Sequence, residues 1–184
     1  MRKAILYIAM SLDGYIADSK GGVEWLVGQD ATNQELGSYP EFIKTVDTII
    51  MGWNTYHQIV TALSPDEWVY KGMKSYVITH QKLTETDEII GTEQALDELI
   101  EKLKQQEGKA IWICGGASIA NQLMEKDLID CYHITIIPTL LGGGIRLFDK
   151  EHEELKLKLM STHSYNGMTD LVYERREKIV EESS

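Results

Sequence analysis

Cysteine, proline and long apolar runs are all scarce in this chain. Among 184 residues there are two cysteines and three prolines. Two cysteines, Cys114 and Cys131, are too few for a disulfide framework or a cysteine-rich zinc site. No apolar run approaches the ~20 residues that a membrane-spanning helix needs. The sequence therefore excludes disulfide-stapled and membrane-spanning classes of protein, and we expect a protein of the reducing cytoplasm.

Positive charge is also in short supply. Lys and Arg number 18 against 29 Asp and Glu, which gives a formal net charge of −11. An acidic surface disfavours general binding to nucleic acid or to anionic membranes. It leaves a small anionic ligand possible, because a local pocket can oppose the overall sign. The five histidines lack the spacing of metal ligands, so we expect no metal site.

Apolar segments alternate with helical patterns along most of the chain. "KAILYIAM", "TIIMG", "SYVITH", "AIWIC" and "CYHITII" are typical of buried strands. "TEQALDELIEKLKQQEG" is the clearest helix, which we expect to begin near Thr92 and to carry one apolar stripe, Leu96, Leu99, Ile100 and Leu103. A further helix begins near Ser38, whose side chain is suited to cap it. Two alternating segments around Asn166-Gly167 predict a C-terminal hairpin. The pattern indicates one α/β domain over residues 1–176, with a loose tail over 177–184.

Two strands end in glycine and lead directly into helices. "CGGASIANQL" does so at Gly115-Gly116, and "IIMGWNTY" does so at Gly52. Glycine lets backbone approach a ligand, and the start of a helix favours a phosphate. Each turn alone is equally consistent with a plain capped helix. Together, at strand ends of one sheet, they indicate a ligand with two separated phosphate anchors.

The loop "SLDGYIADSKGGVEWL" follows the first strand. Its glycines suit a pliable lid over a pocket. The alternative is an ordinary surface loop in which Trp25 plugs the core. Cys114, between an apolar strand and the glycines, is expected to be a buried and inert thiol.

The order of these motifs resembles the dihydrofolate reductase superfamily over residues 1–176. "YIAMSLDGYIA", "TIIMGWNTY", "IWICGGASIANQLM" and "YHITIIPTLLGGGIRLF" carry the resemblance. "SLDG" and "PTLLGGGIRLF" are more similar to the reductase domain of the bacterial riboflavin-pathway deaminase–reductase and its stand-alone relatives. The resemblance implies a dihydrofolate-reductase-like α/β fold: a mostly parallel eight-stranded sheet flanked by helices, with an antiparallel C-terminal hairpin.

The resemblance also implies a nicotinamide cofactor, usually NADPH, lying across the strand ends. Transferred motif by motif, the cofactor would contact Ala9, Met10, Ile16, Ala17, Gly52, Asn54, Thr55, Thr79, His80, Gly115, Gly116, Ala117, Ser118 and Ile119. Trp25, Ser38 and Thr135 would border the substrate. A homodimer is expected, as in the riboflavin branch.

Departures from the family pattern bear on substrate and cofactor. Folate-reducing members carry an acid four residues before a Phe, and here Ser38 stands four before Phe42. Cys114 replaces the Glu that often precedes the glycine pair in the riboflavin branch, and no Asp-Asp-Pro is present. Trp53 replaces a basic residue that would favour NADPH, so NADH is possible, unless Lys74 or Lys82 compensates.

The sequence supports three functional readings. The first is an NAD(P)H-dependent reductase of a small pyrimidine- or pterin-like heterocycle, resembling 5-amino-6-(5-phosphoribosylamino)uracil reductase. Its proton donor would be Asp13, Glu41 or a protein-held water, although Asp13 is also suited to fixing the lid through turn hydrogen bonds. The alternatives are a non-catalytic nucleotide-binding protein that keeps the fold, and a weak dihydrofolate reductase.

Overall fold

The computed structural model describes residues 1–149 and 152–176. The tail expected over 177–184 lies outside the described residues. The ten strands of the described part are β1 (Ala4–Ser11), β2 (Tyr15–Ala17), β3 (Val46–Gly52), β4 (Lys74–Ile78), β5 (Ile89–Thr92), β6 (Ala110–Gly115), β7 (Cys131–Ile137), β8 (Ile145–Arg146), β9 (Leu157–Tyr165) and β10 (Met168–Arg175). The helices are α1 (Tyr39–Phe42), α2 (Trp53–Gln58), α3 (Leu96–Gln105) and α4 (Ala117–Glu125). A 3₁₀ turn, Ile43–Thr45, extends α1, and a π-helical turn, Ile59–Leu63, extends α2.

Eight strands form one sheet in the order β5-β4-β3-β6-β1-β7-β10-β9. The six strands from β5 to β7 are mutually parallel, and β10 runs antiparallel to both β7 and β9. This is the α/β architecture that the sequence indicates, including the antiparallel C-terminal hairpin. β1 lies between β6 and β7, which explains why its residues are apolar on both faces.

Two apolar cores cover the two faces of the sheet. Helices α3 and α4 pack on one face, where Leu6, Ile100 and Ile113 are fully buried. α1 and α2 pack on the other face, where Phe42 and Trp112 are buried. The apolar stripe of α3, which the sequence predicts, is the one that packs inward. Because β3 and β6 are parallel neighbours, the two glycine turns that follow them lie at the same edge of the sheet.

Three local predictions are wrong. Thr92 does not lead a helix: it ends β5, which pairs with β4 through Ile78, and α3 begins only at Leu96. Ser38 precedes α1, but its side chain does not cap the helix. The stretch after β1 is not all loop, because β2 pairs with β8. Each of these outcomes depends on a partner distant in sequence, which local patterns do not reveal.

In the described part of the chain, no helix is both long and apolar enough to cross a membrane.

Candidate functional site

The two glycine turns and the loop after β1 meet at one place. A Cβ built on Gly116 would lie 3.6 Å from Thr55 Oγ1 and 3.9 Å from Ile16 Cδ1. A Cβ built on Gly52 would lie 3.4 Å from Cγ1 of Ile119. The turn after β3, the turn after β6 and the loop after β1 therefore surround the same small space. Five of the residues predicted to hold a cofactor are brought together.

The start of α4 is suited to an anion. Gly115 has φ +122°, a backbone conformation that residues with a side chain rarely adopt, and the Gly115-Gly116 peptide is cis. Gly116 stands at the N-cap of α4 without a side-chain cap, so the first N–H groups of this nine-residue helix are not claimed by a capping side chain. Ala117 is buried and Ser118 is exposed beside them. With the Thr55 hydroxyl across the gap, these groups fit a phosphate of a dinucleotide.

The loop after β1 is fastened by Asp13. Its carboxylate accepts hydrogen bonds from Ser11 Oγ at 2.6 Å and from the N–H groups of Leu141 and Gly142 at 3.1 and 2.7 Å. The hydrogen bond from Ser11 is the main cause that lowers the pKa of Asp13 to about 2. An ionised carboxylate with three donors cannot readily give a proton. These contacts favour the alternative in which Asp13 fixes the loop.

The rest of that loop is tied to the glycine-rich segment before β8. A Cβ on Gly144 would lie 2.1 Å from the carbonyl oxygen of Ala17, so the two backbones touch. Arg146 lies over the ring of Tyr15, 4.6 Å from its centroid. The indole of Trp25 donates to the Gly22 carbonyl at 3.2 Å, a contact within its own loop. The place of Trp25 beside a substrate stays a prediction.

A cavity of about 430 Å³ opens beyond the ends of β4 and β5. This is the region predicted to receive the adenosine end of the cofactor, and Thr79 lines it. His80 is exposed and lies beside Glu93, 3.3 Å away. Lys82 also lines the cavity, together with the acidic Glu85 and Glu93. Lys74 begins β4 and so lies toward the opposite edge, which leaves Lys82 as the candidate cation.

Ala9, Met10 and Asn54 lie at the end of a strand or at the start of a helix. Ala9 and Met10 lie near the carboxyl end of β1, and both are partly exposed. Asn54 is exposed in the first turn of α2. No contact within the chain tests whether these residues meet a nicotinamide or a pyrophosphate, so their roles stay predictions.

Glu41 and Cys114 do not have the surroundings of reactive groups. The side chain of Glu41 is 79% exposed and pairs with Lys44 at 2.6 Å, so nothing desolvates its carboxyl. Burial raises the pKa of the Cys114 thiol to about 11, and the Tyr70 hydroxyl lies 3.8 Å from its sulfur. Cys114 fits the inert thiol expected from the sequence.

A buried carboxylate lies beside the predicted substrate residues. Asp170, on β10, is 1% exposed. Its Oδ1 accepts from Thr135 Oγ1 at 2.6 Å, and its Oδ2 accepts from the Ser38 N–H at 3.1 Å and from the Ser38 hydroxyl. Ser38 Oγ is also 2.9 Å from His133 Nε2. The structure therefore joins Ser38 and Thr135, which were predicted separately, through two residues that sequence reasoning missed.

Tyr7 and Tyr165 complete this polar cluster. The Tyr165 hydroxyl is 3.4 Å from Asp170 Oδ1, and the Tyr7 ring is 4.2 Å from the His133 ring. The sequence offered one signal for this cluster: in the alternating pattern of a predicted strand, Asp170 falls on the same face as apolar residues. It becomes informative only with the register that sets Asp170 opposite Thr135.

Comparison with known proteins shows which family the chain resembles. Residues 2–172 match the family described as RibD C-terminal domain. The uncharacterized protein YwjB of Bacillus subtilis (strain 168) is 38% identical over 175 residues, covering 95% of this chain and 98% of its own. A solved protein from Shewanella sp. PV-4, assigned to riboflavin biosynthesis, has a TM-score of 0.81 at 29% identity, covering 95% of this chain and 99% of its own.

A more distant likeness concerns the fold alone. A deaminase/5-amino-6-(5-phosphoribosylamino)uracil reductase from Thermotoga maritima has a TM-score of 0.69 at 14% identity. The match covers 95% of this chain and 57% of that one, so this chain corresponds to part of the bifunctional protein. The strand order, the paired glycine turns and the match over residues 2–172 lead to one conclusion: the chain belongs to the RibD C-terminal domain family, with a dihydrofolate-reductase-like fold.

Proposed function

We propose that the protein is an NAD(P)H-dependent reductase that transfers a hydride to a small pyrimidine- or pterin-like heterocycle. The supporting observation is the meeting of Ile16, Thr55 and Gly116 at the carboxyl edge of the sheet. Ligands of open α/β sheets bind outside this edge. The reductase named for the T. maritima neighbour is one model of such an activity.

The bound nicotinamide would supply the hydride, and the protein would supply position and exclusion of water. Gly116, Ala117, Ser118 and Thr55 would hold the phosphates. Ala9 and Met10 would present backbone groups to the nicotinamide, and Ile16 would cover it. Thr79 and Lys82 would border the adenosine end.

Reduction of a C=N or C=O bond also needs a proton. Asp13 is held ionised by its three donors, and Glu41 lies in solvent beside Lys44. A water held in the cleft therefore fits the proton-donor role better than either carboxyl. Ser38 and Thr135 border the place where such a water and the substrate would meet.

The test begins with a tryptophan-fluorescence titration with NADPH and NADH. Gly116→Asp puts a carboxylate where a phosphate would lie, so it should abolish micromolar binding of both cofactors. Gln105→Glu adds the same charge on the exposed end of α3, at the opposite edge, and should bind like the natural protein. Absence of binding in the natural protein would refute the proposal.

A second function is favoured by one observation, the serine at position 38 where folate-reducing members carry an acid. A non-catalytic nucleotide-binding protein would bind NADPH but never oxidise it. Incubation with NADPH and a panel of aminopyrimidines, pterins and dihydrofolate separates the cases. Substrate-dependent loss of NADPH absorbance supports the reductase, and turnover restricted to dihydrofolate would indicate a weak dihydrofolate reductase.

A homodimer is part of the proposal. β9 lies at the edge of the sheet, and Leu159 and Met160 on it are 51% and 47% exposed. An exposed strand edge is a ready site for pairing with a second copy. Light scattering should give twice the 20.9 kDa mass of the chain, and Leu159→Lys should shift it toward one copy. A single-copy mass for the natural protein would contradict the dimer.

A further inference from the structure

Asp170 is a buried carboxylate surrounded by four hydrogen-bond donors. The hydroxyls of Ser38, Thr135 and Tyr165 and the backbone N–H of Ser38 all point to its two oxygens. His133 Nε2 lies 3.9 Å from Oδ2. The carboxylate itself is 1% exposed, so it cannot meet a ligand directly. Any effect on a ligand has to pass through the groups that surround it.

The charge of Asp170 fixes the direction of these hydrogen bonds. Burial acts to raise the pKa of Asp170, but the nearby His133 ring and the hydrogen bonds from Ser38 and Thr135 outweigh it and hold the pKa below its ordinary value. An ionised carboxylate only accepts hydrogen bonds, and a hydroxyl has a single proton. The protons of Ser38 and Thr135 are therefore committed to Asp170, and their oxygens are left as acceptors.

The histidine contact follows the same logic. Ser38 Oγ uses its single proton in the hydrogen bond that it donates to Asp170. The 2.9 Å contact with His133 therefore requires the proton to be on His133 Nε2. One lone pair of Ser38 Oγ remains for a further donor, which is either a ligand or the Tyr7 hydroxyl that faces Ser38 and Thr135. Ser38 is partly exposed, whereas His133 and Thr135 are buried. Ser38 is the member of the cluster that a ligand would touch first.

The sheet register places this cluster next to the predicted nicotinamide site. Ala9 on β1 is paired with Thr135 on β7, and Thr135 is paired with Asp170 on β10. Paired residues of neighbouring strands point to the same face. Tyr7 is likewise paired with His133. A heterocycle lying over Ala9 would have its edge toward Ser38 and Thr135.

We infer that Asp170 is a positioning residue that makes Ser38, and behind it Thr135, hydrogen-bond acceptors, so that the site selects heterocycles presenting N–H donors. The acid that folate-reducing members carry at the position of Ser38 is replaced by Asp170 on β10, which acts indirectly through Ser38. This inference rests on the proposed function for the identity of the ligand as the reductase substrate.

The binding test uses two probes that share their exocyclic amino groups and differ at the two ring nitrogens, which carry N–H in 5,6-diaminouracil and N–CH₃ in 5,6-diamino-1,3-dimethyluracil; the added methyl bulk is common to every variant, so the change in preference between variants is what reports the hydrogen bond. Calorimetry or ligand-observed NMR, with cofactor present, should show the N–H form binding about tenfold tighter to the natural protein, as expected for one lost buried hydrogen bond. The preference should fall toward onefold in Ser38→Ala and in Asp170→Asn, whose amide N–H₂ competes as a donor. Asp66→Asn, the same change at an exposed site, should keep it. Equal binding of the two probes to the natural protein would overturn the inference.

A second readout does not depend on a ligand or on the folding of Asp170→Asn. Long-range ¹H–¹⁵N NMR should show His133 protonated at Nε2, with His133→Gln identifying the signal. A bare Nε2 would mean that Ser38 donates to His133 and not to Asp170, which contradicts the inference.

The failures of this inference and of the proposed function are separable. NADPH binding without an N–H preference rejects the inference and keeps the reductase. An N–H preference without NADPH binding keeps the role of Asp170 and rejects the reductase.

Discussion

Among single residues, Asp13 shows how a candidate acid becomes a structural anchor. Its oxygens receive one hydroxyl and two backbone donors, and the donors at 141 and 142 belong to a segment distant in sequence. Ser11 Oγ in turn accepts from the Tyr15 N–H at 2.9 Å. The side chain thus connects the loop after β1 to the loop after β7, and the connection depends on its charge.

The pH dependence of stability follows from that charge. The pKa of Asp13 falls from 3.8 to about 2 on folding. A lowered pKa means that the stabilisation is present above pH 3.8 and is lost as the pH falls through about 2. Asp13→Asn should therefore lower the melting temperature near neutral pH, and the difference from the natural protein should shrink toward zero at the acid end.

Thermal unfolding followed by circular dichroism between neutral pH and pH 2 checks this. Asp66→Asn, at an exposed position, serves as the matched control and should show no such convergence. A difference between natural protein and Asp13→Asn that stays constant with pH would mean that the anchoring does not need the charge.

At the scale of elements, residues 28–38 are held against the C-terminal hairpin. Asn166, at the turn between β9 and β10, accepts from the N–H of Asp30 at 2.9 Å and donates to its carbonyl at 3.0 Å. The Gln29 N–H donates to the Asn166 carbonyl at 3.0 Å. Further along, Gly37 packs flat against the Tyr165 ring. This segment carries Ser38 to Asp170.

Gly37→Ala tests how tightly that packing is specified. A Cβ at Gly37 would lie 2.1 Å from the Tyr165 ring, whereas one at Gly72 would meet nothing within 4 Å. Both glycines have positive φ, +56° and +82°, so both alanine variants carry the same kind of backbone strain. Gly37→Ala should lose about 1–3 kcal/mol more unfolding free energy than Gly72→Ala, because only it overpacks.

Urea unfolding of the two variants measures the difference. Equal losses would mean that residues 28–38 rearrange around Tyr165 without cost. In that case the contact between Ser38 and Asp170 would also lack a rigid support.

The sequence predicts the long elements well because their patterns are local. The buried strands β1, β3, β4, β6 and β7, helix α4 and the Asn166-Gly167 hairpin were all expected. β5 was missed because Ile89 and Ile90 form only a short apolar run, next to a strong helical pattern. β2 was missed because its order depends on pairing with Ile145 and Arg146.

The candidate site likewise has one part that local motifs predict and one part that depends on contacts distant in sequence. The meeting of the two glycine turns could be predicted, since Gly52, Thr55 and Gly116 belong to short motifs at strand ends. Asp170 could not, because its neighbours Ser38 and Thr135 are 132 and 35 residues away in sequence. In the sequence nothing relates Asp170 to the acid missing at position 38. Only the fold places its carboxylate beside Ser38.

For the whole molecule, the distribution of charge bears on the proposed choice of cofactor. The net charge of −11 opposes any anionic ligand at long range, so in the proposed reductase a selection between NADPH and NADH would depend on local cations. Lys82 lines the cavity beyond β4 and β5, beside Glu85 and Glu93. Lys74 lies at the start of β4, near the other edge of the sheet, and serves as an internal control.

Lys82→Gln should weaken NADPH binding roughly threefold to fivefold and leave NADH binding unchanged, since exposed ion pairs contribute up to about 1 kcal/mol. Lys74→Gln removes the same charge and should change neither cofactor. The measurement is a pair of fluorescence titrations at low and at moderate salt, because an exposed ion pair weakens as ionic strength rises.

If Lys82→Gln affects both cofactors equally, the extra phosphate of NADPH does not reach Lys82. The cavity would then hold a group that the two cofactors share, the adenine or its ribose, and the acidic Glu85 and Glu93 would favour NADH.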